Sequence, residues 1–403
     1  MRILHVTNMY RPRLGGIEVF VEDLAERQAS AGHEVTVLTP TPDTRPEPGP
    51  EPGRVRVVRA PVGLLHPFAP PHAHRTALAG AYDVVHAHLS VVSPFSTAVA
   101  RSTDDAGIPT VLTVHSMLAS KRPFVRAVRA IADWDRASVL WTAVSHAAAA
   151  EARSVLRAGT EVSVVGNAVD VDWWRAVPRH PRSGSPVTMV SVMRLAGRKR
   201  PFALLDAVER VVAESPEAVR LVVVGEGPLE ARLRAEILGR GLGHAVVLTG
   251  RQTREQIRAL YADADVYVAP AYQESFGIAA LEARAAGLPV VAMRSGGVGE
   301  FVRDGVDGLL CEDDDTMAGA LIRLVADAPL RTAIARHNVA QRPDHDWPRA
   351  LAQFDEVYLQ ARRRRAAVLE APAQSAASPG RSNGSSDSTD MTTIGVIAQG
   401  PTT

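Results

Sequence analysis

The chain has 403 residues, of which 46% are apolar and 22% charged, with a formal net charge of +1. At roughly 150 residues per domain this length suggests two domains and a tail, and the balanced charge argues against nucleic acid as a partner. The one cysteine, Cys311, excludes an intramolecular disulfide and a cysteine-rich metal site, and fits a reducing compartment.

The N-terminus, MRILHVTNMYRPR, has too short an apolar run for a signal peptide. No window approaches the ~20 apolar residues needed to span a bilayer, so the expected location is cytoplasmic, with peripheral contact at the inner membrane face left open. Short β-branched runs follow at Ile3 to Thr7, Val35 to Thr39, Val55 to Arg59, Val84 to His88, Val111 to His115, Val139 to Val144 and Val162 to Val165. Most are apolar throughout, as in strands buried on both faces of a parallel sheet. Helix-length stretches such as Glu18 to Ala31 lie between several of them. The segment 44-TRPEPGPEPG-53 reads as an exposed loop.

After the proline-bearing linker 178-PRHPRSGSP-186 a second series begins: Val187 to Met193, Leu221 to Gly225, Val246 to Thr249, Val266 to Ala269, Val290 to Met293 and Leu309 to Cys311. The expected fold class is therefore α/β, with two Rossmann-like, doubly wound parallel-sheet domains over 1–178 and 187–345 that face each other across a cleft. Residues 371–403 are rich in serine, glycine and proline and read as a disordered tail.

The stretch 271-AYQESFGIAALEARAAGLPVV-291 carries the most chemistry. A buried strand leaves through Pro270, helical periodicity runs from Ser275 or Phe276 to about Ala286, and Gly287 stops it. Ser275 is the expected N-cap. Gly277 permits close backbone approach, so the first-turn amides form an anion site. Glu274 lies ahead of that site and Glu282 within the helix, a layout that suits a diphosphate flanked by hydroxyl-bearing groups. A nucleotide sugar has it. The turn 295-SGGVGE-300 can present further amides to phosphate, and Arg194 and Lys199 in 194-RLAGRKR-200 can neutralise it.

The pattern Glu274-SFGIAAL-Glu282, followed by 285-AAGLPVVA-292 and 296-GGVGEFVRDGVDGLL-310, resembles the donor half of family 4 glycosyltransferases with the GT-B fold. The stretches 15-GGIEVFVEDLAERQASAGHEVTVLT-39, 83-DVVHAH-88, 110-TVLTVHS-116 and 142-TAVS-145 resemble that family's first half. The resemblance implies a retaining enzyme that moves a hexose-type sugar from a nucleotide diphosphate to a hydroxyl acceptor, small molecule, lipid or glycan, without a metal or other cofactor. It implies that Glu274 holds sugar hydroxyls, that the amides of Phe276 and Gly277 and the side chains of Arg194 and Lys199 meet the diphosphate, and that Glu282 binds ribose. The loop beginning at Arg251 would lie near the base, Gly15 and Gly16 would admit the phosphates, and His115 would face the donor sugar. A C-terminal helix over 348–366 would pack back on the first domain. Three positions depart from the family pattern: 166-GNAVD-170 replaces a proline-asparagine-glycine turn, Met193 precedes Arg194, and Arg200 and Pro201 follow Lys199 where glycine is usual.

Plainer readings stand beside these. Glu282 alone could be a solvated helix residue, Gly15 and Gly16 an ordinary loop, His115 a strand-edge residue, and Arg194 and Lys199 a solvated basic loop. His86 and His88 alternate on one strand, but no third metal ligand follows at suitable spacing, so they read as structural. Segment 121-KRPFVRAVRAIADW-134 could be a basic amphipathic helix for a membrane surface or an anionic acceptor, or could simply pack on the sheet. A nucleotide-sugar epimerase and a non-catalytic nucleotide-sugar-binding protein are the alternatives to transfer.

Overall fold

The computed structural model describes residues 1–13, 15–43, 53–62, 69–91, 93–117, 138–178, 186–215 and 219–370. Most of the 44–53 loop and of the linker, all of 121–134 and everything from 371 onward lie outside them. Seven parallel strands form the first sheet: β1 (Arg2–Thr7), β2 (Glu34–Thr39), β3 (Arg56–Arg59), β4 (Val84–Leu89), β5 (Thr110–Val114), β6 (Leu140–Ala143) and β7 (Val162–Val164), ordered β3-β2-β1-β4-β5-β6-β7. Six more form the second: β8 (Val187–Val192), β9 (Val219–Val224), β10 (Val246–Gly250), β11 (Val266–Ala269), β12 (Val290–Met293) and β13 (Gly308–Cys311), ordered β10-β9-β8-β11-β12-β13. Strands β4, β5, β6 and β12 are buried at every position, which is why their sequences are apolar runs rather than alternations. In each sheet the order reverses beside the first strand, between β1 and β4 and between β8 and β11. Such switch points open a crevice at the carboxyl ends of the strands.

Five helices position the site: α1 (Gly16–Ser30), α2 (His146–Val155), α3 (Arg254–Asp263), α4 (Ile278–Ala285) and α5 (Trp347–Glu370). Helix α5 lies on the first sheet, not the second. Its Trp347, Phe354 and Tyr358 share a core with Ile3, Val84 and Val111 and with Phe20 of α1, whose ring stacks on Trp347 at 5.6 Å.

Under α1 and α5 the first sheet is layered. Ile3, Val84, Val111 and Leu140 form an apolar row, and the next two residues along each strand bring up His5, His86, Thr113 and Thr142, all buried. Register sets His5 opposite His86 and Thr113 opposite Thr142. Burying these groups is tolerable because they satisfy one another. His115 Nε2 meets His88 Nδ1 at 3.0 Å, and His88 Nε2 meets His5 Nδ1 at 3.0 Å. His5 Nε2 lies 2.7 Å from Gln28 Oε1, and Gln28 Nε2 donates to Tyr358 Oη at 3.1 Å. From there the path continues to His86 Nδ1 (2.9 Å), from His86 Nε2 to Thr113 (2.6 Å) and on to Thr142 (2.5 Å).

Burial lowers all four imidazoles, His5 to about 4, His115 to about 3, and His86 and His88 well below the ordinary value. The unfolded chain therefore binds up to four protons that the folded one does not once the pH drops below about 6.5. Glu22 and Glu282, each raised by burial to about 7, oppose this, being protonated in the fold below that pH and ionised in the unfolded chain down to about 4.5; Glu26, also raised by burial, acts with them, and His33 and His345, lowered by burial, act with the layer. The imidazoles win by about two protons, so unfolding free energy should fall by up to ~2.7 kcal/mol per pH unit between pH 6.5 and 5. Urea midpoints at pH 7.5, 6.5 and 5.5 measure this; a flat profile would mean that the histidine layer is hydrated.

Candidate active site at the facing sheet edges

The site forms where the two switch points face each other. Beyond β11 the chain runs through Glu274 to Gly277, which precedes α4 at φ +96°, a left-handed conformation natural only to glycine. A Cβ there would also lie 2.5 Å from Val298 Cγ2. Gly277, not Ser275, is therefore the N-cap, and no side chain caps the helix. The amides of Phe276 and Gly277 have no partner among the described residues, while the Phe276 ring is buried against Phe301 and His345. Helix α4 starts later than the sequence suggested, so Glu282 sits just over one turn from its start. The 295–300 turn behaves differently from expectation. The Gly297 amide donates to Glu274 O at 2.8 Å, and a Cβ on Gly297 would lie 2.5 Å from Ser275 O, so this glycine serves to pack the turn against the Glu274 loop. Its last residue, Glu300, reaches the other half of the molecule and accepts from the His146 and Ala147 amides at the start of α2, both at 2.8 Å.

Beyond β8, Arg194 is exposed and its side chain makes no hydrogen bond or ion pair among the described residues, whereas Lys199 Nζ contacts Glu274 Oε2 at 2.5 Å. Arg200 takes the left-handed conformation, φ +58°, at the position where the family usually has glycine. Its guanidinium is clamped by Asp314 at 2.6 and 2.8 Å and lies 4.1 Å from the Tyr272 ring centre, contacts that offset the backbone cost.

Glu282 is buried and faces Arg254 of α3, whose guanidinium lies 3.6 Å from Glu282 Oε1 and 3.0 Å from Asp23 Oδ2 of α1. Burial raises the Glu282 carboxyl to about 7, Arg254 pulling it down and Asp23 up. Arg254 and Asp23 were not singled out in the sequence; the one available signal was the capping box at Thr253, which places Arg254 first in its helix. The residue that was singled out, Arg251, is exposed on the preceding loop.

On the first-domain side, Gly15 precedes α1 in extended conformation, and a Cβ on Gly16 would lie 4.0 Å from Ile278 Cδ1 at the start of α4. The two helix N-termini thus meet across the cleft. His115 stands at the carboxyl edge of β5 with its ring 5.4 Å from Phe20. The third imidazole that sequence spacing failed to supply for His86 and His88 is His5, carried in by the neighbouring strand. Ligand atoms of the three lie within 4.8 Å of one another, but both nitrogens of His86 are taken by Tyr358 and Thr113.

Residues 14–173 match the family model described as Glycosyltransferase Family 4, and residues 174–339 match Glycosyl transferases group 1. A D-inositol 3-phosphate glycosyltransferase of Nocardioides sp. is 31% identical over 91% of this chain and 90% of its own length. The chain belongs to glycosyltransferase family 4. A glycogen synthase of Mycobacterium tuberculosis is 29% identical over 90% of this chain and 95% of its own. Among solved structures, Anabaena HepE in complex with UDP-glucose superposes with a TM-score of 0.71 at 21% identity, covering 89% of this chain and 100% of that one. WaaG, a glycosyltransferase of lipopolysaccharide biosynthesis, gives 0.65 at 18% identity over 84% and 94%. These likenesses establish the GT-B fold for this family 4 glycosyltransferase. No helix among its described residues is long and apolar enough to cross a membrane.

Gly277→Ala should destabilise the enzyme by about 1–3 kcal/mol, combining the left-handed backbone with the Val298 contact. Adding Val298→Ala should relieve the contact and leave the backbone part, so thermal melts of the single and double variants should recover only partially. Full recovery would show that the conformation of Gly277 is not required.

Proposed function

We propose that this glycosyltransferase transfers a hexose-type sugar, with retention of anomeric configuration, from a nucleotide-diphosphate sugar to a hydroxyl acceptor. The observation that carries this reading is the convergence at one sheet edge of the two unpartnered amides of Phe276 and Gly277, the cations Arg194 and Lys199, and two carboxylates on either side of them, Glu274 and Glu282. Diphosphate would sit on the amides and displace Lys199 from Glu274, leaving Glu274 to accept from sugar hydroxyls and Glu282 from the ribose. Arg251 would lie toward the base, and Gly15 and Gly16 would leave room for phosphate between the two helix starts. The complex of Anabaena HepE with UDP-glucose supports a uridine donor. The names of the curated relatives divide between an inositol phosphate and a glycogen product, so the acceptor class is left at a hydroxyl.

In this scheme the acceptor oxygen bonds to the anomeric carbon on the face from which the diphosphate leaves, and the acceptor proton passes to a departing phosphate oxygen. Lys199, Arg194 and the α4 amides stabilise the charge that builds on that group, with no metal in the scheme. His115 is a poor proton carrier, because burial holds it at about 3, and it serves as a neutral hydrogen-bonding group. Closure of the cleft excludes water from the leaving diphosphate.

Calorimetric titration with uridine, guanosine and adenosine diphosphate sugars tests the reading. One donor should bind, with affinity reduced about tenfold or more in Glu282→Ala and in Lys199→Ala. A folded protein that binds none of them, or that isomerises a donor without an acceptor, would overturn it.

The carboxyl of Glu282 also predicts a pH dependence. Held at about 7 it is substantially protonated at pH 6 and loses acceptor capacity, so donor affinity should strengthen from pH 6 to pH 8. Glu282→Gln should flatten that slope. Equal slopes in the two proteins would remove Glu282 from the ribose site.

A further inference from the structure

The histidine layer has a direction. Gln28 presents its amide oxygen to His5 Nε2 and its amide nitrogen to Tyr358. With neutral rings, a condition that their burial enforces, every later proton is determined. Gln28 Oε1 needs a donor, so His5 carries its proton on Nε2 and accepts at Nδ1. His88 must then donate from Nε2 and accept at Nδ1, and His115 must donate from Nε2. The other branch agrees: Tyr358 accepts from Gln28 and donates to His86 Nδ1, His86 donates to Thr113, and Thr113 donates to Thr142. All seven hydrogen bonds run in a single sense.

Turning the Gln28 amide over would reverse every one of these bonds and move the His115 proton from Nε2 to Nδ1. The relay has two self-consistent states, and Gln28 selects between them. What differs at the surface is one atom. Among the described residues His115 Nδ1 makes no hydrogen bond, and it is not sealed from solvent, which leaves it as the free valence at this end of the relay. In the observed sense that atom is an acceptor; in the reversed sense it is a donor.

We propose that Gln28, acting through His5 and His88, is a positioning residue that fixes His115 as the Nε2–H tautomer, so that the cleft offers an acceptor nitrogen and selects a donor sugar bearing a hydroxyl, rather than a carbonyl or carboxylate, where it meets this ring. The identity of the group that meets Nδ1 rests on the nucleotide-sugar reading above; the tautomer does not. A hydroxyl can donate to Nδ1, whereas an acceptor-only group would leave two lone pairs facing each other. Gln28 of α1 and Tyr358 of α5 lie behind the sheet edge, buried between their helices and the sheet, so they touch no substrate and act only through the chain of rings.

Long-range proton–nitrogen correlation spectra of the full-length, 15N-histidine-labelled protein read the tautomer of each ring without any donor present. His5, His88 and His115 should show the neutral Nε2–H pattern, unchanged between pH 6 and 8. In Gln28→Met, an apolar near-isostere, His115 should become a mixture of the two tautomers, and KM for the donor should rise about three- to tenfold with kcat within about twofold. An Nδ1–H or cationic His115 in the unaltered protein would overturn the proposal. So would a Gln28→Met protein whose His115 pattern and donor KM are both unchanged. Tyr358→Phe, which removes the partner that orients the Gln28 amide, should mix the tautomers in the same way and stands in if Gln28→Met does not fold. A protein with the expected ring pattern that binds no nucleotide sugar would count against the donor reading and leave the relay intact.

Discussion

Two helix N-termini meet across the cleft, and the charged side chains of the candidate site are arranged around them. Helix α1 begins at Gly16 and α4 at Ile278, and the two starts come within side-chain contact. Each brings a partial positive charge and first-turn amides without helical partners, so positive potential gathers between them and is only partly offset. On the α1 side the offset is Glu18, buried in the first turn and paired with Arg13 at 3.2 Å. On the α4 side no side chain caps the helix. Nearby carboxylates are instead held by cations: Glu274 by Lys199 and Glu282 by Arg254. A ligand with a dianionic centre and hydroxyl-bearing ends answers all of these at once, since phosphate can take the amides and the lysine while the released carboxylates accept from hydroxyls.

The strands were legible because sheets buried on both faces leave continuous apolar runs, and all thirteen runs picked out of the sequence correspond to strands within one or two residues. What the runs do not encode is which strands are neighbours. The order β3-β2-β1-β4-β5-β6-β7 is a tertiary outcome, and with it came the third imidazole beside His86 and His88. A search along the chain from His86 and His88 finds no third ring, because His5 is 81 residues earlier and arrives only through β1–β4 register. Arg254 and Asp23 were hidden for the same reason: they lie on helices from different halves of the chain and meet only when the sheets face each other. The misplaced N-cap has a local cause. Serine is the stronger capping residue by preference, but the turn after Glu274 demands a left-handed residue, and only Gly277 supplies it.

Arg200 shows the converse, a place where the sequence breaks a local preference and the structure compensates. A non-glycine residue at φ +58° costs of the order of 1 kcal/mol. Here the side chain that creates the cost also meets it, through a bidentate contact with Asp314 and the face of Tyr272. The departure from the family's glycine therefore leaves the backbone course of the loop intact, and Lys199, one residue earlier, still reaches Glu274.

Arg254 ties the binding chemistry to the closure of the molecule. It is held by Asp23 of the first half and faces Glu282 of the second, while Glu300 of the second half caps α2 of the first. Both links cross the cleft, and both use charge. Separating the halves would take Asp23 away from the part-buried Arg254 guanidinium, which then keeps only Glu282 as its partner, and would uncap the start of α2. Burial raises the Glu282 carboxyl, Arg254 of its own half lowers it and Asp23 of the first half raises it, so docking of the first domain bears on the charge of the group proposed for ribose. Contacts that hold the two halves together would also exclude water from a diphosphate bound between them, as proposed for the donor.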